Sequence, residues 1–288
     1  MTLSTTRQLI EAAQRSGTAV AAFNVIQLEH AQGIVAGAEQ AGDAVILQLS
    51  ENTVAYHGGP RAIAKGMRAV AESAGVPVAL HLDHLTQTDL CRRTADLGFS
   101  SFMIDAAALP YERNVAVTSD AAAFARGEGL WVEAELGEVG GKGAHQTGAR
   151  TSASEAAAFV ADTGVDGLAV AIGSTHAMHD RSATLDLELL RRIDEAVPVP
   201  LVLHGSSGVR PDDLLAATRN GIVKVNVGTQ LNIAFTDGVR RALADAPGRS
   251  DPRLYLGAGR TALAARVAGT LGELRPDARD ESRACSDL

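Results

Sequence analysis

An eight-stranded parallel barrel wrapped in helices, a (β/α)8 TIM barrel, is the fold class this sequence predicts. Three observations predict it. Eight short apolar runs recur along the chain, with start-to-start intervals of 22 to 37 residues, each the length of one strand plus one helix. The runs are nearly continuous rather than alternating, as strands covered on both faces are. The chain has 288 residues, and such a barrel takes roughly 250 as a single domain, which leaves room for additional C-terminal helices.

The runs, in order, are Ala19–Val25, Ala44–Ser50, Val78–His84, Ser100–Ala106, Leu130–Leu136, Gly167–Gly173, Val199–Gly205 and Gly221–Val227. Between them lie helical patterns. Leu28–Ala41 has apolar residues at helical spacing. Thr86–Leu97 opens on T-Q-T-D, a capping composition. Ser154–Thr163 and Leu231–Leu243 read as further helices, and Pro211 suits a first helical turn. The runner-up is an open doubly wound sheet, but that fold carries a glycine-rich turn after its first strand, and here the strand ends in FNV. The polar, glycine-rich stretch Gly137–Ser152 stands outside the rhythm and reads as a lid or plain surface coil. Residues 1–275 are expected to form the single barrel domain, with 276–288 a polar, disordered tail.

Composition excludes several classes. With 26 basic against 34 acidic residues the net charge is −8, against a general nucleic-acid binder. Aromatic residues make up 3%, too few for a base-stacking surface. No apolar run reaches the length of a membrane span. The amphipathic start MTLSTTRQLIEAAQ lacks the basic start and apolar block of a secretory signal. Cys91 and Cys285 form no CxxC and no disulfide framework, so both read as ordinary thiols and the expected location is cytoplasmic.

In a barrel of this kind chemistry sits at the C-terminal ends of the strands. The residues at those ends are Asn24, Ser50, Asp83 with His84, Asp105, Glu133 with Glu135, His204 and Asn226, and His176 follows the sixth strand. Of the eight histidines, His30, His57 and His179 read as surface or structural, and His81, inside the third strand, as a hydrogen-bonded core residue. His84, His176 and His204 come to one rim, and three imidazoles with one open position are the usual make-up of a catalytic zinc site. Scattered histidines have no spacing signature, so on residues alone a metal site and a structural role stand about level. Asp83 is either a carboxylate bonded to a helix start or a general acid/base beside the metal.

Two small-residue turns follow. His204-Gly205-Ser206-Ser207-Gly208 comes after strand seven, and Asn226-Val227-Gly228-Thr229 leads from strand eight into a helix. Backbone N–H groups in such turns and at a helix start favour an anion. Barrels commonly hold phosphate in the loops after strands seven and eight, so a phosphorylated small molecule is the expected substrate.

The motifs AFNV (22–25), HLDH (81–84), MIDA (103–106), VEAELG (132–137), AVAIGSTHA (169–177), PLVLHGSSG (200–208), KVNVGT (224–229) and DPRLYLGAGR (251–260) occur in one order across most of the chain. In this the sequence resembles the class II, zinc-dependent ketose-bisphosphate aldolases, in particular the tagatose-bisphosphate and short-form fructose-bisphosphate branch. The resemblance implies that His84, His176 and His204 bind a catalytic zinc ion, with Glu135 in a support role. Asp83 is then the acid/base at the C4 hydroxyl of the sugar. Gly205, Ser207, Asn226 and Thr229, with the backbone of Ala177, hold the dihydroxyacetone phosphate half, and Asn24 and Ser50 line the same pocket. Arg260 reaches the second phosphate, often from a neighbouring subunit, so a homodimer or homotetramer is expected. An activating monovalent cation is left open, and Lys224 is structural or electrostatic, not covalent.

Three departures stand out. Ala177 replaces a common glycine, and Gln230 a glutamate. After Gly140-Gly141, relatives carry acidic residues on a mobile loop, whereas this chain continues Lys142-Gly143-Ala144-His145. His145 is the candidate replacement base, with Glu138 as another. The expected reaction is reversible cleavage of a fructose or tagatose 1,6-bisphosphate to dihydroxyacetone phosphate and glyceraldehyde 3-phosphate. The alternatives are a same-family aldolase acting on another phosphorylated keto-sugar or keto-sugar acid, and a non-catalytic phosphosugar-binding or regulatory subunit.

Overall fold

The computed structural model describes residues 3–136, 150–175, 178 and 180–275. Eight parallel strands close into a barrel in sequence order: β1 (Val20–Asn24), β2 (Val45–Ser50), β3 (Val78–Leu85), β4 (Ser101–Ile104), β5 (Trp131–Leu136), β6 (Gly167–Val170), β7 (Leu201–Leu203) and β8 (Ile222–Val227), with β8 pairing β1. Each predicted run coincides with one strand. β3 runs one residue past its predicted end, and the other strands are shorter than predicted, most of all β4, β6 and β7, whose last predicted residues leave the sheet.

The helices are α1 (Thr6–Ser16), α2 (Leu28–Ala41), α3 (Glu51–Tyr56), α4 (Arg61–Ser73), α5 (Thr88–Cys91), α6 (Tyr111–Gly127), α7 (Ala153–Thr163), α8 (Leu187–Ala196), α9 (Pro211–Arg219), α10 (Thr229–Asp245) and α11 (Pro252–Glu273). α2 has the predicted bounds, and Pro211 opens α9. α7 is capped by the Ser152 hydroxyl, which accepts from Glu155 N at 3.2 Å. The long α11 packs along α2 and α10, the additional C-terminal layer expected from the chain length.

The helix expected over 86–97 is a correction. Only Thr88–Cys91 is α-helical, and the chain continues in turns to residue 98. T-Q-T-D does not cap it either. The cap comes from Glu51, whose carboxylate accepts from Thr86 N and Gln87 N at 2.7 and 3.2 Å. Beyond Cys91 the bonds tighten to a three-residue spacing, with Arg93 N on Leu90 O and Thr94 N on Cys91 O. The buried Thr94 hydroxyl also turns back to Cys91 O, at 2.8 Å, in competition with the helical pattern.

Strand alternation sorts the barrel interior into layers. Ala22, Ile46, Ala79, Trp131 and Val202 form an apolar floor with Leu9 and Ile10 of α1. Trp131 fills this space so fully that a Cβ on Gly167 would stand 2.4 Å from its ring. Two residues further along their strands come Asn24, Gln48, His81, Glu133 and His204, and two beyond that Ser50, Asp83 and Glu135. The same alternation that builds the floor therefore delivers polar groups to one open end. The opposite strand faces, among them Phe23, Leu47, Leu80 and Val225, are fully or almost fully buried in the main core under the helices.

Candidate active site

At the C-terminal ends of the strands lies a cavity of about 260 Å³. Of the residues expected there, it is lined by Asn24, Ser50, Asp83, Gly205, Ser207 and Asn226, together with His84 and Thr229. Gln48, Asn52, Thr53 and Asn232 join them and were not singled out from sequence. Gln48 carried a readable signal, since it sits two residues before Ser50 on the same strand face.

Asp83 and His84 are adjacent in sequence, so regular alternation would send one of them outward. The backbone breaks that rule. His84 has φ 51°, alone among the described non-glycine residues in having positive φ, and the β3–β4 register shifts between Leu82 and Leu85. This conformation costs about 1–2 kcal/mol for an L-residue. It turns His84 into the cavity beside Asp83, where Asp105 Oδ2 holds its Nδ1 at 2.7 Å. Strain of this sort gathers at functional positions.

Asp83 is 2% exposed. Asn24 Nδ2 donates to Oδ2 at 3.2 Å and Asn226 Nδ2 to Oδ1 at 3.4 Å, while Gln48 Nε2 fixes Asn24 from behind at 2.9 Å. Burial alone would raise the Asp83 pKa, but the nearby positive charge of His84, Lys224 and His204 holds it well below the usual carboxylate range. The group is ionised at neutral pH.

His204 directly follows β7 and lies between two carboxylates. Its Nδ1 is 3.0 Å from Glu135 Oε2 and its Nε2 is 2.9 Å from Glu133 Oε1. Burial opposes its charged form, yet the bonds to Glu133 and Glu135 push its pKa up to about 9. The His84 and His204 rings are 4.9 Å apart between centroids. One ligand atom each from His84, Glu135 and His204 falls within 4.8 Å of the others, a donor set of nitrogen and oxygen that fits a divalent metal ion. Asp105 and Glu133 orient the two imidazoles from outside, as outer partners of metal-bound histidines do.

Gly205 follows in the left-handed region, φ 66°, and opens a short 3-10 turn over Ser206–Gly208. The Ser206 hydroxyl donates to Asn226 O, and Gln230 Nε2 donates to Ser207 O at 3.3 Å, so the turn after β7 is tied to the start of α10. α10 begins at Thr229 on the cavity wall and has no acidic residue in its first turn, so its positive end is not neutralised locally.

His81 meets its expectation. It is fully buried and its Nδ1 lies 2.8 Å from Ser101 Oγ. Burial and the Lys224 charge lower its pKa to about 3. His57 Nε2 is 2.7 Å from Ile26 O, and His30 is buried against Phe235. Lys224 is buried in an ion pair with Glu133 at 2.7 Å. Arg260 is a different matter. It lies exposed on α11, bonded to Gln32 of α2 at 2.8 Å, and is not among the cavity-lining residues of its own chain. His145, His176, Ala177, Glu138 and the tail 276–288 lie outside the described residues.

Comparison with known proteins agrees with this geometry. The family model for fructose-bisphosphate aldolase class-II matches residues 4–277. A fructose-bisphosphate aldolase of Geobacillus stearothermophilus is 38% identical over 278 residues, 95% of this chain and 97% of that protein. A 6-phospho-5-dehydro-2-deoxy-D-gluconate aldolase of Bacillus subtilis (strain 168) is 35% identical, with 93% of each covered. Among solved structures, the YdjI aldolase of Escherichia coli K12 is similar with a TM-score of 0.84 at 31% identity, over 96% of this chain and 99% of that one. Among the described residues no helix is long and apolar enough to cross a membrane. A matching barrel, a histidine–carboxylate cluster at its open end and similarity along nearly the whole chain converge: this protein belongs to the class-II fructose-bisphosphate aldolase family and is an aldolase, a carbon–carbon lyase.

Proposed function

We propose that the protein is a zinc-dependent aldolase that cleaves a ketose 1,6-bisphosphate reversibly to dihydroxyacetone phosphate and glyceraldehyde 3-phosphate. One observation carries the reading: His84, a member of the His84–Glu135–His204 cluster, and Asp83 line one cavity with the turn at Gly205 and the start of α10. His84 and His204, joined by His176, are the zinc ligands, with Glu135 auxiliary to them.

Cleavage of the C3–C4 bond removes a proton from the C4 hydroxyl, forms the aldehyde there, and leaves an electron pair on the three-carbon half as an enediolate. A bound zinc ion supplies a Lewis acid for that negative charge. Asp83, ionised and held by Asn24 and Asn226, accepts the C4 hydroxyl proton and returns it in condensation. The backbone N–H groups of the Gly205–Ser207 turn and of the α10 start, with the Thr229 hydroxyl, bind the phosphate of the three-carbon half. Asn226 and the backbone of Ala177 orient that half, and Ser50 borders it. His145 exchanges the proton at C3. Because Arg260 does not line its own cavity and bonds to Gln32 instead, it serves the second phosphate from a neighbouring copy, in a homodimer or homotetramer. The intended location is the cytoplasm.

Lys224 takes no covalent part, since its Nζ is engaged by Glu133. The relatives support a second reading, because a 6-phospho-5-dehydro-2-deoxy-D-gluconate aldolase is nearly as similar as the fructose-bisphosphate aldolases. The experiment is a substrate panel on zinc-loaded protein: fructose 1,6-bisphosphate, tagatose 1,6-bisphosphate and 6-phospho-5-dehydro-2-deoxygluconate. Release of the three-carbon product is followed in each arm. Preferred cleavage of either bisphosphate supports the proposal. Preferred cleavage of the keto-sugar acid replaces it with the second reading.

A further inference from the structure

A lysine whose ammonium is fully buried inside a barrel requires a reason. Lys224 sits on β8 with its Nζ 2.7 Å from Glu133 Oε2. Glu133 is also fully buried, and its other oxygen, Oε1, is 2.9 Å from His204 Nε2. On the opposite side of that ring, Nδ1 faces Glu135, in the cluster that His84 completes. Four groups thus form one line from an ammonium to a ligand set.

Stability does not account for this line. Exchanging a buried ion pair for apolar groups of similar volume is often neutral or favourable. Its chemistry does account for it. With Lys224 on Oε2, Glu133 is an ionised carboxylate, which can only accept hydrogen bonds. The proton between Glu133 and His204 therefore belongs to His204 Nε2. A ring protonated at Nε2 ligates a metal through Nδ1, the nitrogen that faces Glu135 and His84. Without Lys224, Glu133 Oε2 would lose its partner and the carboxylate would no longer be held with Oε1 on His204 Nε2. The ring that presents Nδ1 to Glu135 and His84 would then lose its anchor.

We propose that Lys224 is a positioning residue for the metal centre: through Glu133 it sets His204 as the Nε2-protonated tautomer and strengthens Nδ1 as a donor. This rests on the metal-dependent reading given above. Metal-ligand partners one shell out typically change metal affinity 10–100-fold when lost.

The test measures zinc affinity by chelator competition and the visible spectrum of the cobalt-substituted protein. Three proteins are compared: wild type, Lys224→Met, and Lys224→Met with Glu133→Gln. The single variant keeps length without charge. In the double variant the Gln amide oxygen still accepts from Nε2, but the negative charge is gone. The expected result is zinc binding weakened about 10–100-fold in Lys224→Met, with an altered cobalt spectrum, and partial recovery in the double variant. Wild-type zinc affinity and an unchanged cobalt spectrum in folded Lys224→Met overturn the proposal. Should the single variant fail to fold, the double variant decides. Binding about tenfold weaker than wild type supports the positioning role, and wild-type affinity overturns it. Wild-type protein that takes up no zinc would instead remove the metal reading itself, and this proposal with it.

Discussion

Gly205→Ala tests the junction of metal ligand and anion turn at a single methyl group. Gly205 follows His204 and has φ 66°. An L-residue there costs about 1–2 kcal/mol. The added Cβ would also stand 2.6 Å from Thr175 O and 2.7 Å from Thr175 C, both backbone atoms that cannot rotate away. Overpacking of this kind costs about 1–3 kcal/mol. The two effects act on different degrees of freedom, so the expected loss is about 2–5 kcal/mol. At roughly 2 °C per kcal/mol for a chain of this size, the melting temperature falls by about 4–10 °C. Because the relief available is a shift of the turn or of the segment at Thr175, KM for the phosphorylated substrate rises as well. Calorimetry and steady-state kinetics on the same preparation read both. A variant that melts within 1 °C of wild type (well under the about 4 °C floor) with unchanged KM would refute the reasoning.

Other predictions follow from the same geometry. Asp83→Asn removes the proton acceptor while keeping the bonding volume, so kcat falls by about 10²–10⁴-fold with zinc content unchanged; cleavage kinetics beside metal analysis check this, and retained kcat refutes the assigned role. His81 is neutral when folded, its pKa lowered to about 3 by burial and the Lys224 charge, from an ordinary value of 6.5. Between those values the unfolded chain binds the extra proton, so stability is lost as pH falls from 6.5 towards 3. Denaturant titrations should show this contribution, about 1.4 kcal/mol per pH unit, and His81→Asn should flatten it by that amount; an identical pH slope in the variant contradicts the burial argument. Burial pushes the Cys91 thiol up to about 12, so the native protein should resist alkylation at Cys91 at pH 8 until denatured. Peptide mapping after labelling tells the two apart, and rapid native labelling of Cys91 would show that α5 opens readily.

Much of this architecture was readable from the chain because parallel strands covered on both faces must be apolar throughout. That requirement marks all eight strands and brings His84, Glu135 and His204 to one end. The adjacent pair Asp83 and His84 needed more. Alternation argues against both entering the cavity, and the positive φ at His84 that resolves the conflict has no signature in residue type. Glu133 and Lys224 had a signal that parity would have exposed: each lies two residues before a rim residue, Glu135 and Asn226, in an otherwise apolar run. Read singly, a charged residue inside a strand says little; read together, the opposite charges on β5 and β8 pair across the interior. The capping composition at 86–89 misled because the partner that caps α5, Glu51, comes from 35 residues away. Arg260 shows a different limit. The family resemblance assigns it to the second phosphate, yet within one chain it bonds to Gln32 on the outer helices, an arrangement that no local pattern in the sequence announces.

In the proposed function, cleavage depends on a metal held by the histidine cluster and not on a lysine. The most direct measurement removes the metal with chelator and restores zinc stepwise while bisphosphate cleavage is followed. Chelated protein should be inactive, and activity should return in proportion to zinc, saturating near one ion per chain. Borohydride added with substrate should cause no inactivation. Full cleavage by the chelated protein, or its inactivation by borohydride in the presence of substrate, would overturn the metal-dependent function.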